Sequence, residues 1–315
     1  LHACILNTMP DVHLSTICEK QSGIRLFARK ILPNIFITDK LSDLKNEDLS
    51  ALFVTTSTFS HHDVIKEIYA MGITNNIFVE KPLCASATHA SELCELASKY
   101  GGVNMVGYNK RFGSTFKRAY EIIKSNKLGN ITHIAATAYS SDFYGQDRFI
   151  PQAYSRGGSL RDIGCHLVDL LQWLLGDFNV VKSNLKVKTL ESKSYVDEAK
   201  ANLEFSAGIP GDLHVSWCQE NYRLPQMDIS IIFKHGRVSV NENEIEIEDN
   251  GNSAVYRKHE LESGVPYFQG ETDYYHEDNE FRLAAQEQRQ VHSDFITAAN
   301  ADRILDEIVI KGDSQ

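Results

Sequence analysis

Two short stretches of this chain carry side chains that can exchange a proton with a reacting alcohol. The first is the tripeptide Glu80-Lys81-Pro82, which directly follows a strand-like apolar run at residues 76–79. A lysine at the end of a buried strand is desolvated, and desolvation lowers its pKa toward neutral pH. The same tripeptide also fits a surface turn after a strand, so on its own it leaves both interpretations open.

The second stretch is the glycine-rich start of a predicted helix at residues 159–175. Asp162 and His166 are four residues apart, so they lie one above the other on one helix face, and Asp169 follows nearby. Histidine exchanges protons near neutral pH, and a carboxylate one turn earlier can hold a substrate hydroxyl. Two other interpretations stay open: Ser159 and Asp162 resemble a capping box, and His166 fits a buried core histidine. Because no third ligand is in reach, the spacing is weak evidence for a metal, and we predict no metal site.

Composition excludes several classes of protein. The chain has 315 residues, with 32 Lys and Arg against 42 Asp and Glu, so its formal net charge is −10. An acidic chain without a basic stripe is not expected to bind nucleic acid, and no apolar run approaches the roughly 20 residues of a membrane span. The six cysteines are dispersed without a C-x-x-C pair, which is typical of reduced thiols in a cytoplasmic protein. We therefore expect a cytoplasmic protein with neither a nucleic-acid nor a membrane partner.

The first hundred residues alternate short apolar strands with helical patterns. The runs at residues 51–55, 76–79 and 103–106 are apolar without alternation, and helical patterns at residues 62–71 and 86–100 separate them. Such strands are buried on both faces, which predicts a parallel sheet whose ligands bind at the carboxyl ends of the strands. Polar residues occupy that position after each of the three strands: Thr55 to Ser57, Glu80 to Pro82, and Gly107 to Asn109.

The pattern changes after about residue 108, and strands dominate the second half of the chain. Alternating runs separated by turns, such as residues 249–252, predict an antiparallel sheet. The fold class we predict is α/β: a Rossmann-type parallel sheet domain at residues 1–108, then an α+β domain with a large, mostly antiparallel open sheet at residues 109–315. The last helices are free to pack back on the first domain. An open sheet needs a cover, so we expect a homodimer or homotetramer through that sheet.

One acidic residue bears on the choice of a nucleotide ligand. Glu19 follows a short predicted strand at residues 12–17, and an acidic residue there can bond the ribose of NAD. Lys20 and Arg25 point the other way, because a cation can accept the additional phosphate of NADP. An exposed turn carboxylate fits Glu19 as well. NAD is slightly favoured, and both cofactors stay open.

Taken in order, these motifs resemble the glucose–fructose oxidoreductase/inositol dehydrogenase (Gfo/Idh/MocA) family over about residues 1–180. The matching segments are Thr55-Thr56-Ser57 with His61, Glu80-Lys81-Pro82-Leu83, residues 107–112, and residues 157–169 with Asp162, Gly164, His166 and Asp169. The resemblance implies a Rossmann domain followed by a substrate domain. It also implies NAD(P)-dependent hydride transfer to or from a hydroxyl carbon of a sugar, cyclitol or sugar derivative.

The resemblance further implies roles for individual residues. His166 is expected to take the hydroxyl proton, Lys81 to polarise the oxygen, and Asp162 to anchor a neighbouring hydroxyl, which makes these three the catalytic residues. The implied substrate-binding residues are Lys81, Arg111, Tyr144, Asp162 and His166. The implied cofactor-binding residues are Glu19, Lys20, Thr55, Thr56, Ser57, His61, Glu80, Lys81 and Asn109.

One departure from the family pattern concerns the cofactor site. The glycine-rich loop and the strand before it are absent, and His2 resembles the histidine that follows that loop. We therefore expect the chain to begin just downstream of the loop, as a truncated form of a complete enzyme, with a degenerate relative as the alternative. Two other functions stand beside the dehydrogenase: a non-catalytic regulatory protein that binds NAD(P) or a sugar, and an NAD-dependent glycoside-cleaving enzyme.

Overall fold

The computed structural model describes residues 1–190, 195–261 and 272–314. Residues 191–194, 262–271 and 315, all within the predicted second domain, lie outside that description. The described helices are α1 (His2–Leu6), α2 (Ser22–Ile31), α3 (Thr58–Met71), α4 (Ala87–Tyr100), α5 (Ser114–Ser125), α6 (Pro151–Ser155), α7 (Cys165–Leu175), α8 (Lys258–Leu261), α9 (Thr272–Glu287) and α10 (Phe295–Ile310). The described strands are β1 (Thr16–Cys18), β2 (Phe36–Thr38), β3 (Leu52–Val54), β4 (Ile77–Glu80), β5 (Asn104–Gly107), β6 (Ile131–Tyr139), β7 (Phe178–Lys186), β8 (Glu198–Phe205), β9 (Ile209–Ser216), β10 (Gln226–Phe233), β11 (Gly236–Val240), β12 (Glu244–Asp249), β13 (Asn252–Arg257) and β14 (Gly312–Ser314).

The first part of the chain forms two small parallel sheets. Strands β1 and β2 pair with each other, and β3, β4 and β5 form a second sheet in that order. Ile77, Phe78 and Val79 of β4 are all completely buried, because this sheet is covered on both faces. This arrangement confirms the predicted Rossmann-type parallel sheet.

Local capping sets the ends of the helices that follow these strands. Helix α3 stops at Gly72, whose φ of 66° is a left-handed conformation that glycine adopts without strain. Helix α4 begins after Ser86, whose side chain accepts a hydrogen bond from the backbone N–H of His89. Helix α4 therefore starts and ends close to its predicted bounds, whereas α3 begins at Thr58, upstream of the predicted start at residue 62.

The second part of the chain forms a nine-stranded sheet in the order β13-β12-β11-β10-β6-β9-β8-β7-β14. Its neighbouring strands are antiparallel except for two parallel pairs, β6 with β9 and β7 with β14. Along β6, Ile134, Ala136 and Ala138 are buried, while the residues between them are half-buried. This period of two is typical of a strand that packs one face on the core. The sheet confirms the predicted large, mostly antiparallel one.

Three local predictions differ from the structure. The strand predicted at residues 12–17 forms only at Thr16–Cys18, because β2 supplies ladder partners only over that length. The predicted loop at residues 142–156 contains the short helix α6. The helix that carries the predicted catalytic pair begins with a π-helical turn, Leu160–Gly164, before it continues as α7.

The last helices pack against the first part of the chain. Asp302 of α10 accepts a hydrogen bond from the backbone N–H of Cys84 at 2.9 Å. The backbone N–H of Val106 in β5 donates to the carbonyl of Ser293 at 2.7 Å. Residues near the C-terminal end of the described chain therefore help to hold the parallel sheet. No helix among the described residues combines the length and the apolar character that crossing a membrane requires.

Candidate active site

Lys81 lies at the carboxyl end of β4, and its side chain reaches the π-helical turn before α7. Its Nζ donates to the backbone carbonyl of Asp162 at 2.5 Å and lies 3.5 Å from Oδ1 of the same residue. Burial lowers the pKa of Lys81, but Cys165, Asp162 and Glu80 more than offset that effect and raise it above its ordinary value of 10.5. The predicted lowering is therefore wrong, and Lys81 is an ammonium donor at neutral pH.

His166 lies in the first turn of α7 and is 8% exposed. Its Nδ1 is buried and has no hydrogen-bond partner among the described residues. Its ring stands edge-on to the ring of Tyr108, with the centroids 6.1 Å apart. Burial, reinforced by the positive charges of Lys81 and Lys110, lowers the pKa of His166 well below 6.5. The imidazole is therefore neutral at physiological pH and can accept a proton.

Arg156 holds the carboxylate of Asp162 in place, and this contact is not predicted from the sequence. Its Nε donates to Oδ2 of Asp162 at 2.9 Å, and its Nη2 bonds the same oxygen and also Oδ2 of Asp142. The guanidinium lies over the rings of Phe143 and Trp217, 5.6 and 5.5 Å from their centroids. The carboxylate is thereby fixed from two sides, by a lysine and by an arginine. A single arginine in a polar loop gives no signal from which this role can be predicted.

Arg111 and Asp169 form a buried ion pair beside the site. Nε and Nη2 of Arg111 donate to the two carboxylate oxygens of Asp169 at 2.7 and 2.6 Å, and Nη1 donates to the carbonyl of His292 at 2.7 Å. The two side chains are 5% and 1% exposed. Every nitrogen of the guanidinium is used inside the protein, which disagrees with the predicted substrate contact of Arg111. Asp169 is likewise a structural partner rather than a free carboxylate beside Asp162 and His166.

Tyr144 lies on the loop that precedes α6 and is 50% exposed. The carboxylate of Glu220 lies beside its hydroxyl, and the negative charge of that carboxylate raises the pKa of Tyr144. No hydrogen bond in the described part of the chain joins Tyr144 to Lys81, Asp162 or His166. Its role as a substrate contact stays a prediction.

The residues predicted to line the cofactor lie at the carboxyl ends of the parallel strands. Thr55, Thr56 and Ser57 follow β3 and are exposed. Glu19 and Lys20 follow β1, where the first is half-buried and the second exposed. Hydroxyl, carboxylate and ammonium groups at the carboxyl ends of parallel strands suit a polar ligand that lies across several strands.

Two of the predicted cofactor residues, His61 and Glu80, are engaged within the protein. The ring nitrogens of His61, which is fully buried, each lie 3.0 Å from a backbone carbonyl, that of Thr56 and that of Pro82. Glu80 places Oε1 2.8 Å from Nε2 of His2, and its Oε2 accepts the backbone N–H of the next residue at 3.0 Å. Both side chains therefore hold the shape of the sheet edge.

An unpartnered acceptor at this edge fits a ligand that carries an N–H donor. Asn109, after β5, is 2% exposed, and its Oδ1 has no hydrogen-bond partner within the described ranges. A Cβ on Gly107 would lie 3.0 Å from the ring of Phe78 and 3.3 Å from Oε2 of Glu80, so a larger residue here would crowd both side chains. Buried acceptors are normally satisfied, and a carboxamide such as that of a nicotinamide supplies the missing donor.

Comparison with known families identifies the chain. Residues 2–108 match the oxidoreductase family with an NAD-binding Rossmann fold, and residues 116–239 match the GFO/IDH/MocA C-terminal domain. The chain belongs to the Gfo/Idh/MocA oxidoreductase family. The NAD-binding Rossmann match confirms the predicted cofactor class, NAD or NADP.

Individual relatives of this Gfo/Idh/MocA oxidoreductase are distant. The scyllo-inositol 2-dehydrogenase (NAD(+)) of Bacillus subtilis (strain 168) is 26% identical over 219 residues, which are 67% of this chain and 62% of that protein. The matched part spans about six-tenths of the length of the curated relatives.

Solved structures share the fold over almost the whole chain. Levoglucosan dehydrogenase in complex with NADH gives a TM-score of 0.86 at 16% identity, over 98% of this chain and 92% of that one. A 3-ketoreductase from Actinomadura kijaniata in complex with NADP gives a TM-score of 0.80 at 15% identity, over 99% and 93%. At such identities the likeness is one of fold.

Proposed function

We propose that this Gfo/Idh/MocA oxidoreductase transfers a hydride between NAD(P) and a hydroxyl carbon of a sugar, cyclitol or sugar derivative. One observation carries the proposal: Lys81 Nζ lies 2.5 Å from the carbonyl of Asp162, next to the helix turn that bears the buried, neutral His166. Alcohol oxidation requires a base for the hydroxyl proton and a cation for the negative charge that develops on oxygen. Lys81 supplies the cation and His166 the base, and the charge of Lys81 acts on the imidazole of His166.

Three side chains divide the work at the reacting carbon. His166 accepts the hydroxyl proton, because burial keeps its imidazole neutral at physiological pH. Lys81 remains charged and donates an N–H to the same oxygen, which stabilises the alkoxide as it forms. Asp162, held by Arg156, accepts a hydrogen bond from a neighbouring hydroxyl and so orients the ring. Bound NAD(P)⁺ would supply the acceptor for the hydride that leaves the carbon.

Residues along the carboxyl edge of the parallel sheet would hold the cofactor. Thr55, Thr56 and Ser57 offer hydroxyls and backbone groups, and the orphaned Oδ1 of Asn109 suits the carboxamide of the nicotinamide. Glu19 suits the ribose of NAD, whereas the adjacent lysine would favour NADP. Glu19 and Lys20 together decide between the two cofactors.

The substrate class is supported by relatives and by the site itself. Relatives named scyllo-inositol 2-dehydrogenase and levoglucosan dehydrogenase, the latter also solved with levoglucosan, favour a sugar or cyclitol. The complete set of Lys81, Asp162 and His166 favours an enzyme over a regulatory protein, which has no use for all three. The glycoside-cleaving alternative has no observation in its favour and is not proposed.

We also propose that residues 1–108 form the cofactor domain and residues 109–315 the domain for substrate binding and oligomerisation. The outer face of β6, with Thr137 and Tyr139 half-buried, supports a homodimer or homotetramer through the open sheet. The six cysteines are free thiols, which supports a cytoplasmic location. Analytical ultracentrifugation should give a dimer or tetramer, and a stable monomer at micromolar concentration contradicts the assembly.

The test of the proposed function uses the full-length protein. It is titrated with NADH and NADPH by nicotinamide fluorescence, and then given NAD⁺ or NADP⁺ with a panel of sugars, cyclitols and their phosphorylated and oxidised derivatives. We expect micromolar binding of at least one cofactor and formation of reduced nicotinamide with at least one member of the panel. Absence of binding for both NADH and NADPH refutes the proposal. Binding without turnover of any compound favours the regulatory alternative.

A further inference from the structure

A second cluster of polar side chains is buried where α1 meets α9. His2, at the start of α1, is 6% exposed, and Glu277 and Asp278 of α9 are both 0% exposed. His2 Nδ1 lies 2.7 Å from Oδ1 of Asp278, and its Nε2 lies 2.8 Å from Oε1 of Glu80. The cluster is separate from Lys81, whose side chain points to the π-helical turn.

The carboxylates of this cluster have unused ligand atoms. Neither oxygen of Glu277 has a hydrogen-bond partner among the residues that the structure describes, and the same holds for Oδ2 of Asp278. A completely buried carboxylate is normally matched by donors or by a cation, because leaving its oxygens unpaired in the interior costs several kcal/mol. Glu277 is therefore either protonated or matched by a cation that no described side chain provides.

Three ligand atoms of the cluster converge. One atom each from His2, Glu277 and Asp278 lie within 4.8 Å of one another. Two ligands at about 2.0–2.2 Å from a single ion are at most about 4.4 Å apart, so small side-chain movements would bring these atoms onto one ion. The ligands come from positions about 275 residues apart in the chain (276 between His2 and Asp278), so no local spacing in the sequence can indicate the site.

We propose that His2, Glu277 and Asp278 form a binding site for a divalent first-row transition-metal ion. One imidazole with two carboxylates suits Zn²⁺ or Mn²⁺, whereas Ca²⁺ takes six to eight oxygen ligands and Mg²⁺ prefers oxygen and water. Glu80 supports the assignment, because metal-bound histidines usually donate their second ring N–H to a carboxylate.

The proposed ion has a structural role. It joins α1 to α9, and through Glu80 it connects to β4, because Oε2 of Glu80 also accepts the backbone N–H of Lys81. The ion would thus stabilise the strand end that carries the catalytic lysine without touching the substrate. Metal binding at this cluster does not depend on hydride transfer. The protein can therefore lack the metal site and still transfer hydride, or bind the metal without transferring hydride.

The test measures metal binding to the full-length protein after treatment with a chelator. Calorimetric titrations with Zn²⁺, Mn²⁺ and Mg²⁺ compare the wild type with Glu277→Gln, which keeps the shape of the side chain but removes its charge. The matched control is Glu287→Gln, an exposed position on the same helix. Mn²⁺ is included because thiols and surface histidines bind Zn²⁺ more readily than Mn²⁺.

We expect the wild type to bind one Zn²⁺ or Mn²⁺ per chain, with an affinity at least tenfold higher than for Mg²⁺. That affinity should fall at least tenfold in Glu277→Gln and stay unchanged in Glu287→Gln. The ion should also raise the Tm of the wild type and not that of Glu277→Gln. If Glu277→Gln does not fold, His2→Gln replaces it in the same comparison. Absence of binding to the wild type, or equal binding to wild type and site variants, overturns the proposal and leaves a protonated Glu277 as the explanation.

Discussion

The buried pair of Arg111 and Asp169 allows a sharp prediction for Asp169→Asn. The substitution keeps the shape of the side chain and removes its charge. In the wild type, two guanidinium nitrogens donate to the two carboxylate oxygens at 2.7 and 2.6 Å, and the side chains are 5% and 1% exposed. The variant leaves the guanidinium of Arg111 buried without its counter-charge.

The expected loss of stability follows from that burial. Removing one partner of a buried ion pair costs about 3–5 kcal/mol, because the remaining charge stays desolvated. An unfolding entropy of about 2.1 cal/mol/K per residue gives about 0.66 kcal/mol/K for the 315 residues, so the Tm should fall by about 5–8 °C. The double variant Arg111→Met, Asp169→Leu removes both charges and should lie within about 2 kcal/mol of the wild type.

The assay combines calorimetric melting with steady-state kinetics well below the transition. Because Asp169 faces Arg111 and not Lys81 or His166, we expect kcat/KM of folded Asp169→Asn to change less than tenfold. The refuting result is the opposite pattern, an unchanged Tm with a large loss of kcat/KM. That outcome would mean that Asp169 acts on the substrate, and it would favour the substrate contact that the sequence predicts for Arg111.

Two further predictions concern the reacting groups. The pKa of His166 lies well below 6.5, so in the oxidation direction kcat should be level from pH 8 down to 6.5 and fall only below that. Lys110→Met removes a positive charge that lowers this pKa. In that variant the acid limb of the pH profile, where kcat falls, should move to higher pH. An acid limb that stays in place in Lys110→Met, or that lies above pH 7 in the wild type, contradicts the assignment of His166 as a buried neutral base. Arg156→Met removes both hydrogen bonds to Asp162, so kcat/KM should fall about 10–100-fold. The Arg156 side chain is 35% exposed, so the Tm should change little. Arg156→Lys should recover part of the lost kcat/KM. Equal kcat/KM in Arg156→Met and the wild type would show that Asp162 needs no support from the loop.

Local signals were enough to predict the elements that carry the site. The unalternating run before Lys81 predicts a buried strand, and Ile77, Phe78 and Val79 of β4 are completely buried. The amphipathic pattern that contains Asp162 and His166 predicts a helix, and the structure has one apart from the π-helical turn at its start. These predictions hold because periodicity and glycine stops depend on residues close in sequence.

Contacts across the chain could not be predicted in the same way. Arg111 is paired with Asp169, 58 residues away, and Glu80 bonds His2, 78 residues away. A sequence read alone shows that such residues are charged, but not which of them become buried against each other. The same limit explains why the direction of the Lys81 pKa shift was not predicted, because that direction depends on acidic neighbours that only the fold brings together.

Single-turnover hydride transfer in the full-length protein, with a substrate from the panel, tests the roles of Lys81 and His166 most directly. Lys81→Met and His166→Ala are compared with Lys127→Met, an exposed lysine that serves as the control. We predict that His166→Ala binds the cofactor as the wild type does. Both site variants should lose at least about 10²-fold in the rate of reduced nicotinamide formation, while Lys127→Met is unchanged. Rates within tenfold of the wild type in both site variants would contradict the assignment of Lys81 and His166 to the chemical step.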